Sequence, residues 1–344
     1  MGNIYIIDYD INYYEKGGLM ATIKNVAEIA GVTVTTVSRV LNNRGYISEK
    51  TRQKVNAAVK ELDYQPNEIA RALFRKKSNL IGLIVPNVAH PFFAELTSSI
   101  EYYAYKNGYK ILICNSYGYS VKEKDYIGML KRSQVDGIIM GSHTLEISEY
   151  LNLGRPIVSI DRCLSNNIPY IASDNYNGGV LATNLLIERG CKKLAHISGP
   201  LILNTPADKR FQAFNDVTTE KHINHVVVET RLNSFKIEEY ENLIYKLFSD
   251  YPDIDGIFAS SDIIAACVIN VLDKFGKKIP KDIKVVGYDD IDIATLIVPS
   301  LTTIRQPIKE IGKAAIKSII DQLEKKPVNM ENILPIELIN RKTT

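Results

Sequence analysis

From Asn79 onward, short apolar runs alternate with amphipathic stretches of helical length. LIGLIVP (80–86) is a continuous apolar run, followed by a helical pattern over about 92–107. KILICNS, a charged helical stretch, DGIIMGS and RPIVSID come next, and then a second series of KLAHISGP, HVVVET, DGIFASS and IKVVGYDD with helical patterns between them. Buried runs alternating with helices of roughly 10–15 residues predict parallel, doubly wound sheets. Eight or more such strands over about 260 residues predict two sheets rather than one.

The rhythm before Asn79 is helical throughout. Thr22 is placed to cap a helix over about 23–30 that Gly31 ends, and Thr33 a second over 34–41 that stops near Asn42-Asn43. Ser48 is placed to cap a third helix, where Val55, Val59 and Leu62 recur at i, i+4 and i+7. Val26, Ala27, Ala30, Val37, Val40 and Leu41 supply the facing apolar positions. Two helices joined by a short turn containing Gly form a helix-turn-helix, although the spacing alone fits an unspecialised three-helix bundle equally well. Tyr64-Gln65-Pro66-Asn67 then stops the helix and offers a new N-cap. Glu68–Arg75 makes only two turns, too short to persist alone.

Charge separates the two regions. Residues 20–80 hold eleven Lys/Arg against five Asp/Glu, a net +6, whereas the whole chain is +3, so the remainder sums to −3. A basic module on a near-neutral body points to a domain that grips a polyanion. The outer face of the second helix carries Val34, Thr35, Ser38 and Arg39, short groups suited to close approach in a major groove and one cation that can read a guanine edge. Arg44, Lys50, Arg52 and Lys54 around it suit phosphates.

Several classes are set aside. No GxGxxG, GxxxxGK[ST] or Gly-x-Ser-x-Gly occurs, and none of the five histidines (His90, His143, His196, His222, His225) sits in HExxH or a recognisable triad. Neither an enzyme, nor a cofactor, nor a metal is therefore expected. Cys114, Cys163, Cys191 and Cys267 are scattered, as reduced thiols in a cytoplasmic protein would be. No apolar run approaches the roughly 20 residues that span a bilayer. Residues 1–19, with four tyrosines, read as a disordered leader or an upstream extension before a start at Met20. A secreted sugar-binding protein would share the body but not the basic module.

In open α/β sheets ligands bind beyond the carboxyl ends of strands. That rule selects Asn87, Asn115, Ser116, Asp161, Arg162, Ser261, Asp262, Asp289 and Asp290, with Asp262 and Asp290 expected only to cap helices. Uncharged hydrogen-bonders, carboxylates and a cation suit a neutral polyhydroxylated ligand better than a phosphate or an apolar compound.

AEIAGVTVTTVSRVLNN, SEKTRQKV and YQPNEIARAL together resemble the headpiece and hinge of the lactose/galactose-repressor (LacI/GalR) family. SDNYNGG (173–179), HISGP (196–200), KRFQAF (209–214) and VVGYDD…PSLTTIRQP (285–307) extend the resemblance over the body. It implies a small all-α helix-turn-helix headpiece (20–65), a hinge helix (66–78) and a two-lobed, periplasmic-binding-protein-like α/β core (79–344) of two doubly wound parallel sheets. One lobe would comprise 80–178 with 306–335, the other 179–305 with 336–344. By this resemblance Val34, Thr35 and Arg39 read bases and Leu73 is a wedge in the minor groove. Asn42 and Tyr64 contact the DNA backbone, and Thr22, Ser38, Asn67 and Ala70 complete the DNA-binding set. Arg210 and Asp289 hold effector hydroxyls, with Asp161, Arg162, Asn87, Phe92 and Ser261 around them. Ser261 stands where many sugar-responsive members have Asn. The implied function is repression of a sugar-utilisation operon at a pseudo-palindromic double-stranded operator, by a homodimer without membrane attachment. NNRGYISEKTR and ILICNS bring it nearest to sucrose-operon repressors. A carbon-catabolite or nucleoside-responsive regulator is the alternative within the family. The tyrosine-rich helix after Pro91-Phe92-Phe93 is expected at the dimer interface, and no tetramerising heptad segment follows ILPIELINRKTT.

Overall fold

Three side-chain caps set the helices of the first unit in a computed structural model that describes residues 21–65, 77–142, 144, 154–203, 205–232 and 235–344. Thr22 Oγ1 accepts from the Asn25 N–H while Asn25 Oδ1 accepts from the Thr22 N–H at 2.9 Å, a reciprocal box that starts α1 (Ile23–Ala30). Gly31 ends it in the left-handed region at φ 63°. Thr33 accepts from the Thr36 N–H to open α2 (Val34–Leu41), and Ser48 accepts from the Thr51 N–H to open α3 (Glu49–Glu61). Val26, Ala27, Ala30, Val37, Val40, Val55 and Ala58 are buried together, bordered by Ile47, Leu62 and Tyr64. Only these few small side chains make the core, so the caps carry a large share of local stability.

The chain divides into two compact units between Ser78 and Asn79. In the second unit the elements run β1 (Leu80–Val85), α4 (Pro91–Lys106), β2 (Lys110–Asn115), α5 (Ser120–Arg132), β3 (Gly137–Met140), β4 (Ile157–Ile160), β5 (Tyr170–Ser173), α6 (Asn175–Glu188) and β6 (Lys193–Ser198). They continue with α7 (Lys209–Glu220), β7 (Asn224–Glu229), α8 (Ile237–Asp250), β8 (Gly256–Ala259), α9 (Asp262–Lys274), β9 (Lys284–Asp289), α10 (Ile293–Leu296), β10 (Thr302–Arg305), α11 (Ile308–Leu323), β11 (Glu331–Leu334) and β12 (Glu337–Ile339). Two six-stranded sheets result, in the orders β11-β5-β4-β3-β1-β2 and β12-β10-β9-β8-β6-β7. The first is wholly parallel, whereas β12 lies antiparallel to β10 at the edge of the second. Helices cover both faces, so the central strands are apolar on both sides: every residue of β3, β4 and β8 is buried.

The apolar pattern does not announce β5, β10, β11 or β12. They are three or four residues long, and β11 and β12 are half-exposed at their sheet edges. These strands need their neighbours to be defined. Late segments nonetheless complete both sheets. Thr343 is buried and its hydroxyl accepts from the Thr302 N–H and donates to the Val285 carbonyl.

Helices α6 and α7 pack closely at Gly179. A Cβ there would stand 2.7 Å from the Arg210 carbonyl oxygen and 2.8 Å from Ala213 Cβ. Backbone cannot yield as a flexible side chain would, so Gly179→Ala is expected to destabilise the protein by about 1–3 kcal/mol. Denaturant unfolding of wild type and variant measures this, and equal midpoints would exclude the close packing.

Candidate functional site

In the first unit, the capping of α2 turns Val37 and Val40 inward and leaves Val34 (40 % exposed), Thr35 and Arg39 on the surface, with Ser38 half-buried. This is a face of short groups followed by one long cation. Asn42 folds back on its own helix, Nδ2 donating to the Ser38 carbonyl at 2.9 Å. Tyr64 packs half-buried against the small core, and Thr22 is committed to its cap. Asn67, Ala70 and Leu73 lie outside the described residues, as does the 1–19 leader. Tyr46, which the sequence pattern did not single out, is 96 % exposed in the basic loop between α2 and α3. A bare aromatic ring beside Arg44 was the available signal.

The second unit contains a cavity of about 280 Å³ between the carboxyl ends of its two sheets. Asp161 follows β4 with φ 54°, and Asp289 ends β9 with φ 116°. Both lie in the left-handed region that L-residues avoid, a cost tolerated where the backbone must aim a side chain. Arg210, in the first turn of α7, is only 7 % exposed. Its Nε donates to Asn175 Oδ1 at 2.7 Å and Nη1 to the Ser260 carbonyl at 2.8 Å, while the guanidinium lies 3.6 Å from the centroid of the Tyr288 ring. Gly178 lets that ring approach α6, since a Cβ would stand 2.5 Å from the Tyr288 hydroxyl. The cation is thus fixed before any ligand arrives.

Asp161 Oδ1 is buried with no hydrogen-bond partner. Burial raises its pKa, opposed by Arg210 and Asn175. Asp289 Oδ1 accepts from Gln306 Nε2 at 2.6 Å. Burial raises Asp289 to about 7, with Arg210 and Gln306 pulling it down and Asp161 pushing it up. One cation therefore faces two carboxyls with unfilled accepting capacity, which suits ligand hydroxyl groups. Ser261 caps α9 by accepting from the Ile264 N–H and also lines the cavity.

Aromatic rings close one side. Phe92 and Phe93 lie at the start of α4, and His90 and Phe93 meet Phe235 edge-on, with centroids 5.5 and 6.3 Å apart. Phe235 belongs to the segment before α8, so this contact spans the cleft. Burial lowers His90 to about 4, leaving the imidazole neutral at pH 7.

Of the effector set, Phe92, Asp161, Arg210, Ser261 and Asp289 line the cavity, whereas Asn87 and Arg162 do not. Asn87 Oδ1 instead accepts from the Ala89 N–H and closes a local turn. Asn115 and Ser116 are also outside the lining, and Ser116 pairs with Ser142 at 2.8 Å. Asp262 and Asp290 are not the helix caps expected, since Ser261 caps α9 and Asp292 precedes α10. Asp262 accepts from Thr303 Oγ1 and from the Ile291 N–H, joining three segments. Asp290 pairs with Arg305 at 2.7 Å and Arg341 at 2.6 Å. Gln306, His90 and Phe235 were not singled out, because they sit in loops without periodic pattern. Among the described residues no group of three or more His, Cys, Asp or Glu is placed to hold a metal, and no helix is long and apolar enough to cross a membrane.

The folded pKa of Asp289, about 7, lies above the ordinary 3.8. Its contribution to stability is therefore full at low pH and is lost as pH rises toward about 7. Asp289→Asn lacks that loss, so its stability relative to wild type should rise across this window and level off above it. His90 and His196, both lowered to about 4, act in the opposite sense but cancel in the comparison. Denaturation of both proteins between pH 4 and 8 tests this, and a constant difference would contradict it.

Residues 22–67 match the family described as bacterial regulatory proteins, lacI family, and residues 183–344 match a periplasmic binding protein-like domain. The chain is 42% identical over 326 residues to the ribose operon repressor of Halalkalibacterium halodurans, covering 94% of this chain and 97% of that protein. It is 39% identical to the sucrose operon repressor of Streptococcus mutans, covering 94% and 99%. The lac repressor dimer bound to operator and the anti-inducer ONPF superposes with a TM-score of 0.82 at 26% identity, covering 94% of this chain and 99% of that one. With its capped helix-turn-helix unit and its two-sheet body enclosing a cleft that holds Arg210, Asp161 and Asp289, the chain belongs to the lacI family of bacterial regulatory proteins.

Proposed function

We propose that this chain is a transcriptional repressor, acting in the cytoplasm as a homodimer, whose hold on a pseudo-palindromic operator is set by a monosaccharide in the cleft. One observation carries the effector class: an immobilised Arg210 flanked by Asp161 and Asp289 in a cavity of about 280 Å³. The carboxylates would repel a phosphate, and an apolar ligand would leave the buried Asp161 Oδ1 without a partner. Vicinal hydroxyls can satisfy it and add to the bonds of Arg210 and Asp289, while Phe92, Phe93 and Phe235 cover the apolar faces of a sugar ring. The volume of about 280 Å³ lies just below the roughly 300–1,000 Å³ usual for ligand sites, which favours a single ring. The similarity to a ribose operon repressor supports the same size class. Sucrose is the second reading, favoured by the Streptococcus mutans relative. Four free cysteines, of which Cys114, Cys191 and Cys267 are buried, agree with a reducing compartment.

On the DNA side, Val34, Thr35 and Arg39 are proposed to read base edges. Arg44, Lys50, Arg52 and Lys54 would neutralise phosphates, with Asn42 and Tyr64 shaping the flanks. Asn67, Ala70 and Leu73 would complete the contact through the hinge. A sugar that contacts both lobes shifts their closure only by its differential affinity for the two states, and that difference passes to the operator.

Thermal unfolding with D-ribose, D-fructose, D-glucose and sucrose tests the effector class. A ligand at 100 times its Kd stabilises by about 2.7 kcal/mol, and Arg210→Leu should erase the shift. If none of the four sugars moves wild type, this reading is wrong. Operator affinity should fall steeply with salt, by about 0.9 log unit per log salt for each phosphate neutralised. Arg39→Ala should cost about 1–3 kcal/mol and relax preference at one base pair. Equal loss on every sequence would reassign Arg39 to the backbone.

A further inference from the structure

The chain passes between the two sheets three times: at 174 between β5 and α6, at 306–307 between β10 and α11, and at 335–336 between β11 and β12. A rotation of one lobe against the other must be absorbed as torsion at such crossings. Ser173 and Gln306 flank the first two crossings and touch each other. Ser173 Oγ donates to Gln306 Oε1 at 2.6 Å, and Gln306 Nε2 donates to Asp289 Oδ1 at 2.6 Å. The amide nitrogen thus faces Asp289 and its oxygen takes the serine proton, the orientation that suits Asp289 as an acceptor.

The path continues in the other direction. Asn175 Nδ2 donates to the Ser173 carbonyl at 3.1 Å, and Asn175 Oδ1 accepts from Arg210 Nε. Backbone bonds tie in the rest: Gln306 N–H to the Asp289 carbonyl at 3.1 Å, and Asp174 N–H to the Leu334 carbonyl at 2.8 Å, just before the third crossing. Arg210, Asp289 and Gln306 all line the cavity, while Ser173 and Asn175 lie on either side of the first crossing. Ser173 is 2 % exposed and Gln306 4 % exposed, so water does not readily replace a lost bond.

We infer that Gln306, oriented by Ser173, is the positioning residue through which occupancy of Arg210 and Asp289 sets the angle between the lobes. This rests on the effector reading above. A ligand hydroxyl competes with Gln306 for Asp289. When the carboxylate turns to meet the hydroxyl, the amide must follow it or lose its bond, and through Ser173 the amide is attached to the neighbouring crossing. Since a side-chain amide has one donor face and one acceptor face, it cannot serve both neighbours in an arbitrary orientation.

Full-length wild type, Ser173→Ala and Gln306→Glu distinguish this from simple packing. Operator DNA selected from a randomised inverted-repeat pool is titrated with and without D-ribose, D-fructose, D-glucose or sucrose, alongside thermal shifts with the same sugars. Coupled regulators change affinity about 5–150-fold. In Ser173→Ala the sugar-dependent thermal shift is expected to persist while that ratio collapses to about twofold or less. In Gln306→Glu a third carboxyl joins Asp161 and Asp262 in facing Asp289, with Arg210 as the one cation, and like charges raise one another. The pH profile of sugar binding should therefore move to higher pH. A wild-type ratio in Ser173→Ala, or an unmoved profile in Gln306→Glu, overturns the proposal. Absence of any sugar response in wild type would overturn the effector reading first, and this inference with it.

Discussion

The site depends on keeping one guanidinium charged and motionless inside a largely closed body. Taking Arg210 out of water is tolerable only because its charge is met at each side: by the Asn175 amide, by the Ser260 carbonyl, by the Tyr288 face and by two nearby carboxyls. These partners come from α6, the loop after β8, and β9. All three belong to one lobe, so most of the charge is met as that lobe folds, and Asp161 after β4 adds a carboxyl from the other. Tight α6–α7 packing at Gly179 places the arginine, and left-handed backbone at Asp161 and Asp289 brings the carboxyls to it. On the proposed function, rigidity at this point would let a weakly interacting neutral ligand be read, since little ordering would remain to be done on binding.

A second constraint is shared by both units. A helix-turn-helix with a core of valines and alanines has little burial to spend, so it relies on Thr22, Thr33 and Ser48 at helix starts. The body has ample burial and places its polar groups where sheets meet. The first unit is held locally and the second by long-range contacts. Thr343 to Val285 and Gln306 to Ser173 each join segments far apart in sequence.

Much of this was legible from residues alone, and the reasons differ by element. Caps are local, so Thr22, Thr33 and Ser48 marked the three helices correctly. Long buried runs such as LIGLIV and KVVGYD marked central strands, because burial on both faces removes the ambiguity of alternation. The strand-end rule selected Asp161 and Asp289, which line the cavity, and also Asn87 and Arg162, which do not. It fixes how far along a strand a residue lies, not the side to which its side chain turns, and neighbours there alternate. Asp262 and Asp290 were read as caps because their partners, Thr303, Ile291, Arg305 and Arg341, lie far along the chain. Gln306 and Phe235 had no pattern to betray them.

Strand order in the two sheets has a consequence for synthesis. β11 and β12 are made last among the strands, yet each occupies an edge of its sheet and one side of a crossing. At about 5–20 residues per second, the capped helices emerge tens of seconds before either sheet can be completed. A newborn chain can thus present the outer face of α2 while its cleft is still open-edged. On the proposed function, that three-helix unit would meet a half-site alone, without the partner that would double its grip.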